Sequence, residues 1–160
     1  MKRKIILYVI VLLIASCKTI KEYDNSVLNL KNKNLTEFPN DYSSLYGKVK
    51  KLYLGGNSFV ELPKSVFEFK NLIALEINQN PVAKIPIDIT QLEYLKILDI
   101  SGTRIMSFPN LKDMSNLKFV LAYDLGLTEK QIQAMKCNLP PKCELLFSKE
   151  RREYPPYICN

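Results

Sequence analysis

Leu52-Tyr53-Leu54-Gly55-Gly56-Asn57-Ser58-Phe59-Val60-Glu61-Leu62-Pro63 returns twice in the chain. The second copy is Leu75-Glu76-Ile77-Asn78-Gln79-Asn80-Pro81-Val82-Ala83-Lys84-Ile85-Pro86, and the third is Leu98-Asp99-Ile100-Ser101-Gly102-Thr103-Arg104-Ile105-Met106-Ser107-Phe108-Pro109. The offset is 23 residues both times. Weaker copies flank them: Leu28-Asn29-Leu30 lies 24 residues ahead, and Val120-Leu121-Ala122 lies 22 residues behind. An aliphatic residue precedes four of the triplets, at Val49, Leu72, Leu95 and Leu117. An apolar residue follows each one, at Leu35, Phe59, Val82, Ile105 and Leu127, and a Phe-Pro, Leu-Pro or Ile-Pro step follows the first four. A unit this small cannot bury its own apolar face, so the copies must stack. The apolar-x-apolar triplets have the period of a strand with two side chains pointing inward. Stacked in parallel, they predict two continuous core ladders: Leu28, Leu52, Leu75, Leu98, Val120 and Leu30, Leu54, Ile77, Ile100, Ala122.

The spacing L-x-x-L-x-L-x-x-N-x-L-x-x-L-P resembles the leucine-rich repeat, over residues 25 to about 147. The resemblance implies an α/β fold class. It would be a short solenoid arc with a parallel sheet on the concave face and an irregular or briefly helical convex side. In the family pattern the N position closes the turn after the strand, its amide bonding the backbone of the next coil. Asn57 and Asn80 keep it, whereas Lys33, Thr103 and Leu125 depart. Thr can partly substitute and Lys or Leu cannot, so the polar ladder should hold only in the middle. The segments 64–69 and 87–92 are expected to form helical turns with proline at the first position. After Leu127, Thr128 with Gln131 fits a capping box, and Leu127, Ile132 and Met135 make an apolar stripe. These predict a helix over about 129–137, ended by Pro140-Pro141. Residues 143–147 then read as a last strand with Cys143 and Leu145 inward. A helix and an atypical strand would cap the open core.

Residues flanking the inward leucines point out of the sheet. The central outward column is expected to be Asn29, Tyr53, Glu76, Asp99, Leu121, Glu144. The column before it would be Val27, Lys51, Ala74, Ile97, Phe119, Lys142, and the one after it Lys31, Gly55, Asn78, Ser101, Tyr123, Leu146. The resulting face runs from basic through acidic to apolar and aromatic. An exposed apolar patch with aromatics is how a protein-binding surface looks. Tyr53, Glu76, Asp99, Ile97, Phe119, Leu121 and Tyr123 are the candidate contact residues. A competing expectation is that the tail, with Tyr154-Pro155-Pro156-Tyr157, folds back over the patch.

The chain begins Met1-Lys2-Arg3-Lys4 and then runs apolar from Ile5 to Ala15. Eleven apolar residues are too few for a mature spanning helix, which needs about 20. A basic start, a short apolar run and small residues at its end make a secretory signal peptide. Ile14-Ala15-Ser16-Cys17 resembles the lipobox of bacterial lipoproteins. That resemblance implies a signal peptide over 1–16, cleavage before Cys17, and diacylglycerol on its thiol, with acyl chains such as palmitate. Lys18, not Asp, follows Cys17, which leans towards the outer membrane of a bacterial envelope, on a side left open. Residues 17–25 would be a tether, 26–147 the repeat domain of about five copies plus cap, and 148–160 a tail. Removing residues 1–16 takes Lys2, Arg3 and Lys4 and no acid with it, which lowers the formal charge from +7 to +4. The remaining lysines form no evident nucleic-acid stripe with stacking aromatics. Lys48, Lys50 and Lys51 make a small cluster near the anchored end, suited to anionic headgroups.

The chain of 160 residues has no His, which excludes Ser-His-Asp triads, Cys-His pairs and His-ligated metals. Gly55-Gly56 reads as room for a tight turn and not as a phosphate loop. Glu76 and Asp99 would sit roughly 5 Å apart on neighbouring strands. With no third ligand in the pattern they read as solvated acids and not as a Ca²⁺ site or proton-sharing pair. No catalytic residue, cofactor or metal is therefore expected. Exported proteins keep disulfides, and Cys137–Cys159 is one candidate pair; Cys137–Cys143 is close in sequence and stays open. The functional expectation is a non-enzymatic, lipid-anchored module for a protein or peptide partner, with no nucleic acid. A structural envelope component without a specific soluble ligand is the alternative.

Overall fold

The computed structural model describes residues 26–147. The predicted tether, the Cys17 lipidation site, the tail and Cys159 lie outside them. Six three-residue strands follow the repeat: β1 (Val27–Asn29), β2 (Lys51–Tyr53), β3 (Ala74–Glu76), β4 (Ile97–Asp99), β5 (Phe119–Leu121) and β6 (Glu144–Leu146). They form one open parallel sheet in sequence order. Leu28, Leu52, Leu75, Leu98, Val120 and Leu145 stand in register across it. The repeat thus becomes a ladder, and its leucines become the core: Leu52, Leu54, Leu75, Leu98 and Ile100 are fully buried.

Beyond each strand the backbone bonds step from coil to coil. Leu30, Leu54, Ile77, Ile100 and Ala122 each donate an N–H to the following strand, to Tyr53, Glu76, Asp99, Leu121 and Leu146 carbonyls at 2.7–2.9 Å. Two residues further on, Asn32, Gly56, Gln79, Gly102 and Asp124 all have φ between 55° and 67°. At this left-handed turn the residue's own N–H bonds the neighbouring coil: Gln79 N donates to Ser101 O at 2.8 Å and Gly102 N to Tyr123 O at 2.8 Å. Glycine tolerates that region freely, and other residues pay for it. Gly56 confirms the expected tight turn. Gly55 has a different reason: a Cβ there would collide with the Asn78 amide oxygen of the next repeat.

The convex side carries 3-10 turns at Asn40–Leu45, Lys64–Glu68 and Ile87–Gln91. Proline does not take their first position, contrary to the expectation from the sequence. Pro63 and Pro86 precede them in extended conformation, with ψ of 135° and 154°, and their carbonyls accept from Val66 and Ile89 N–H. Proline therefore turns the chain into the coil without entering it. Phe38, Tyr42, Tyr46 and Phe69 pack edge-to-face, with ring centroids 4.7–6.1 Å apart, and cover the first turn of the core.

The expected helix is α1 (Glu129–Cys137), with the Thr128–Gln131 capping box formed and Ile132 and Met135 buried. It stops at Asn138, two residues short of Pro140. Asn138 Nδ2 donates to Phe108 O at 3.0 Å and its carbonyl accepts from Leu111 N at 2.8 Å, which docks α1 on the fourth coil.

The last strand corrects the sequence reading by two residues. Phe119 pairs with Glu144 and Leu121 with Leu146. Cys143 is therefore ahead of the strand and only half-buried, not an inward ladder residue. The register is set by Leu145, which takes the place opposite Val120 that the reading gave to Cys143. Cys143 is a free thiol and Cys137 is disulfide-bonded, so the Cys137–Cys143 pairing is not formed.

Candidate functional site

The polar ladder and the concave face are built from the same turns. Asn57 is buried and spends its whole amide on backbone. Its Nδ2 donates to Leu30 O at 2.8 Å and Leu54 O at 2.7 Å, and its Oδ1 accepts from Lys33 and Leu35 N–H at 3.0 and 3.1 Å. Asn80 does the same one coil later, donating to Leu54 O and Ile77 O at 3.0 Å and accepting from Phe59 N at 3.1 Å. Thr103 reaches only its own coil, donating to Ile100 O at 2.6 Å and facing Ile105 N at 3.4 Å. The slot is filled by exposed Lys33 and half-buried Leu125 in the outer copies. A second set of amides does similar work before the strands. Asn71 Nδ2 donates to Gly47 O at 2.7 Å and Asn116 Nδ2 to Glu93 O at 2.9 Å. The sequence reading did not pick these out, though each stands directly before a core leucine, Leu72 and Leu117.

All seven candidate contact residues lie on the concave face. The corrected β6 register replaces Glu144 by Leu146 in the central column, which now reads Asn29, Tyr53, Glu76, Asp99, Leu121, Leu146. Glu144, and not Lys142, stands beside Phe119. The apolar end is tightened as a result: exposed Ile97 and Phe119 border half-buried Leu121, Leu146 and Tyr123.

The charged part is not a carboxylate pair. Glu76 and Asp99 are cross-strand neighbours, but each is engaged elsewhere. Glu76 ion-pairs with Lys31, whose ammonium lies 4.9 Å from the centroid of the Tyr53 ring between them. A lysine laid across an aromatic face towards a carboxylate gains both attractions. Asp99 Oδ1 accepts from Ser101 N at 2.9 Å, as Asn29 Oδ1 does from Lys31 N at 3.1 Å. Such local turns fix the strand ends. Among the described residues no group of three or more His, Cys, Asp or Glu could hold a metal ion.

At the C-terminal end, a cleft of about 810 Å³ is lined by residues that include Lys112, Lys136, Leu139, Pro140, Cys143 and Leu146. Burial, and secondly the Glu144 carboxylate, push the Cys143 thiol up to about 11.

No protein-family model matches the chain. In fold it is similar to a leucine-rich-repeat protein of Leptospira interrogans, with a TM-score of 0.67 and 26% identity over 75% of this chain and 30% of that one. It is also similar to human 5T4, the trophoblast glycoprotein, with a TM-score of 0.59 and 20% identity over 82% of this chain and 52% of that one. In sequence it is 36% identical over 98 residues to a probable serine/threonine-protein kinase, pats1, of Dictyostelium discoideum; that match spans 57% of this chain and 3% of that protein. The chain thus spans about half or less of the length of each of these proteins. Ladder, turns and the similar solved structures agree on one architecture, and residues 26–147 form a short leucine-rich-repeat solenoid.

Proposed function

We propose that the protein is an exported, lipid-anchored leucine-rich-repeat module that binds a protein or peptide partner through its concave face and does no catalysis itself. The observation that carries the reading is the continuous apolar surface of Ile97, Phe119, Leu121, Tyr123 and Leu146 on β4 to β6, two of them exposed. Solvent-facing apolar side chains gathered on one face are what a partner buries. Tyr53, set beneath Lys31, extends the surface as a flat, rigid contact, and aromatic residues dominate binding energy at interfaces. Six strands at about 4.8 Å make a sheet roughly 25 Å wide. With strands of three residues the sheet face is on the order of a few hundred Å², less than the ~800 Å² per partner of a standard interface, so a partner engages the flanks too or binds weakly. The anchor rests on the leader and on Cys17 within Ile14-Ala15-Ser16-Cys17. Two or more acyl chains hold a protein stably to a bilayer.

Crosslinking and pull-down from the native envelope tests the reading, comparing wild type with Phe119→Asp/Leu121→Asp and with Cys17→Ser. One defined partner should be lost from the double variant, and Cys17→Ser should leave the membrane fraction. An unchanged set of captured proteins in the double variant sinks the concave-face assignment.

A further inference from the structure

The six strands run parallel, and the chain enters the first at Val27. Whatever precedes residue 26 therefore joins the fold at the edge where every strand begins. That edge is basic. Lys50, Lys96 and Lys118 each stand directly ahead of a strand, at β2, β4 and β5, and all are exposed. Exposed Lys48 and Lys70 lie on the turns that lead into β2 and β3. The sequence hides this row because its members are 46 and 22 residues apart. Stacking brings Lys96 and Lys118 to adjacent strands, about 4.8 Å apart in the pairing direction.

The opposing charge on this edge is small. Glu93 is exposed there, and exposed Glu144 opens β6 two residues after Lys142. Among the described residues the ion pair is Lys31–Glu76, on the concave face. None of Lys48, Lys50, Lys96 or Lys118 takes part in it. Lys70 donates to Gln91 Oε1 at 2.7 Å. The carboxylates Glu68 and Asp88 lie on the convex turns instead, and Glu37 and Glu61 on the segments that lead into them. Tyr94, 55% exposed, stands between Glu93 and Lys96 on the basic edge. A tyrosine with flanking lysines suits a headgroup layer, where the ring is half wet and the ammonium meets phosphate.

We propose that this strand-entry edge, through Lys48, Lys50, Lys96, Lys118 and Tyr94, rests on anionic phospholipid headgroups and lays the arc along the membrane. The inference deepens the anchored reading above and rests on it. A nine-residue tether joining at the same edge limits the lysines to about 30 Å from the bilayer, and surface charge acts on those that come within a Debye length of it. The concave patch then faces sideways, open to a partner. A single-stranded nucleic acid is the poorer fit, because it wants several stacking aromatics along a basic groove and this edge carries Tyr94.

The test reconstitutes the full chain into vesicles of phosphatidylcholine, and into vesicles of an equal mixture with phosphatidylglycerol. Each lysine's reaction with a water-soluble amine reagent is followed by peptide mass spectrometry. Lys48, Lys50, Lys96 and Lys118 should react at least about threefold more slowly on the anionic vesicles in low salt. Molar salt should remove that difference, and Lys64, Lys84 and Lys130 should show none. In the exposed-residue variant Lys50→Gln/Lys96→Gln/Lys118→Gln, Lys48 should lose most of its protection. Equal rates on the two vesicles overturn the inference while leaving the anchor standing. So does protection by an added oligonucleotide with none by vesicles. Failure to float with either vesicle overturns inference and anchor together.

Discussion

Asn80 and Thr103 occupy one slot in successive coils and serve it differently. Asn80 is buried with its amide bonded to two coils, whereas Thr103 bonds only its own. Removing one partner of a buried bond leaves the other unsatisfied, at about 1–3 kcal/mol each. Asn80→Ala should therefore destabilise by about 2–4 kcal/mol and Thr103→Ala by about 1 kcal/mol, as read by urea unfolding. Cys143 makes a second prediction. With its thiol pushed up to about 11 by burial first and Glu144 second, less of it is thiolate at any given pH than in an ordinary cysteine. Since only the thiolate is nucleophilic, iodoacetamide should modify Cys143 roughly a hundredfold more slowly at pH 8 than it modifies an exposed cysteine, and the rate should climb steadily towards pH 11. The Asn slots were legible because one residue type recurs at a fixed offset. The place of Cys143 ahead of the last strand was not, because Cys143 and Leu145 have the same strand parity and either could have faced Val120.

At the scale of the element, the turn after each strand has one backbone shape and many sequences. Asn32, Gly56, Gln79, Gly102 and Asp124 share positive φ. No common side chain announces the position, so the periodic pattern located the strands and the turn after them but not the left-handed residue within it. Gln79 is the costliest occupant, lacking the short polar side chain that lets Asn or Asp settle there. Gln79→Gly should raise stability by about 0.5–1 kcal/mol, the left-handed cost less the extra chain entropy of glycine. Gly102→Ala should lower it by about 1–2 kcal/mol, because the residue has φ of 64°, while the new Cβ would meet Gln79 Cγ at an ordinary contact distance of 3.4 Å. Paired thermal melts measure both. By contrast α1 was fully legible, because a capping box and an apolar stripe are local signals that need no neighbour.

Across the whole molecule, each coil touches only the next, and stability is a chain of nearest-neighbour terms. Leu75 is fully buried at the centre, with Leu52 and Leu98 in register on either side. Leu75→Ala should cost about 2–5 kcal/mol, and hydrogen exchange should quicken in β2 to β4 before it does in α1. The core was readable from the repeat, since its positions recur every 22 to 24 residues. The concave face was readable column by column except at β6. The basic edge was not, because it exists only once parallel stacking has aligned distant lysines. The polar amides also divide the arc. Asn57 stitches the first coil to the second and Asn80 the second to the third through buried amides, whereas Thr103 and Leu125 give the later turns no such amide, and those coils are tied instead by Asn116 to Glu93 O and Asn138 to Phe108 O. The buried amide ladder therefore ends at a seam between β3 and β4. Ile97, Phe119, Leu121 and Leu146 all sit beyond that seam, so the surface proposed to meet a partner is carried by the coils whose strand-end turns have no buried amide holding them to the next.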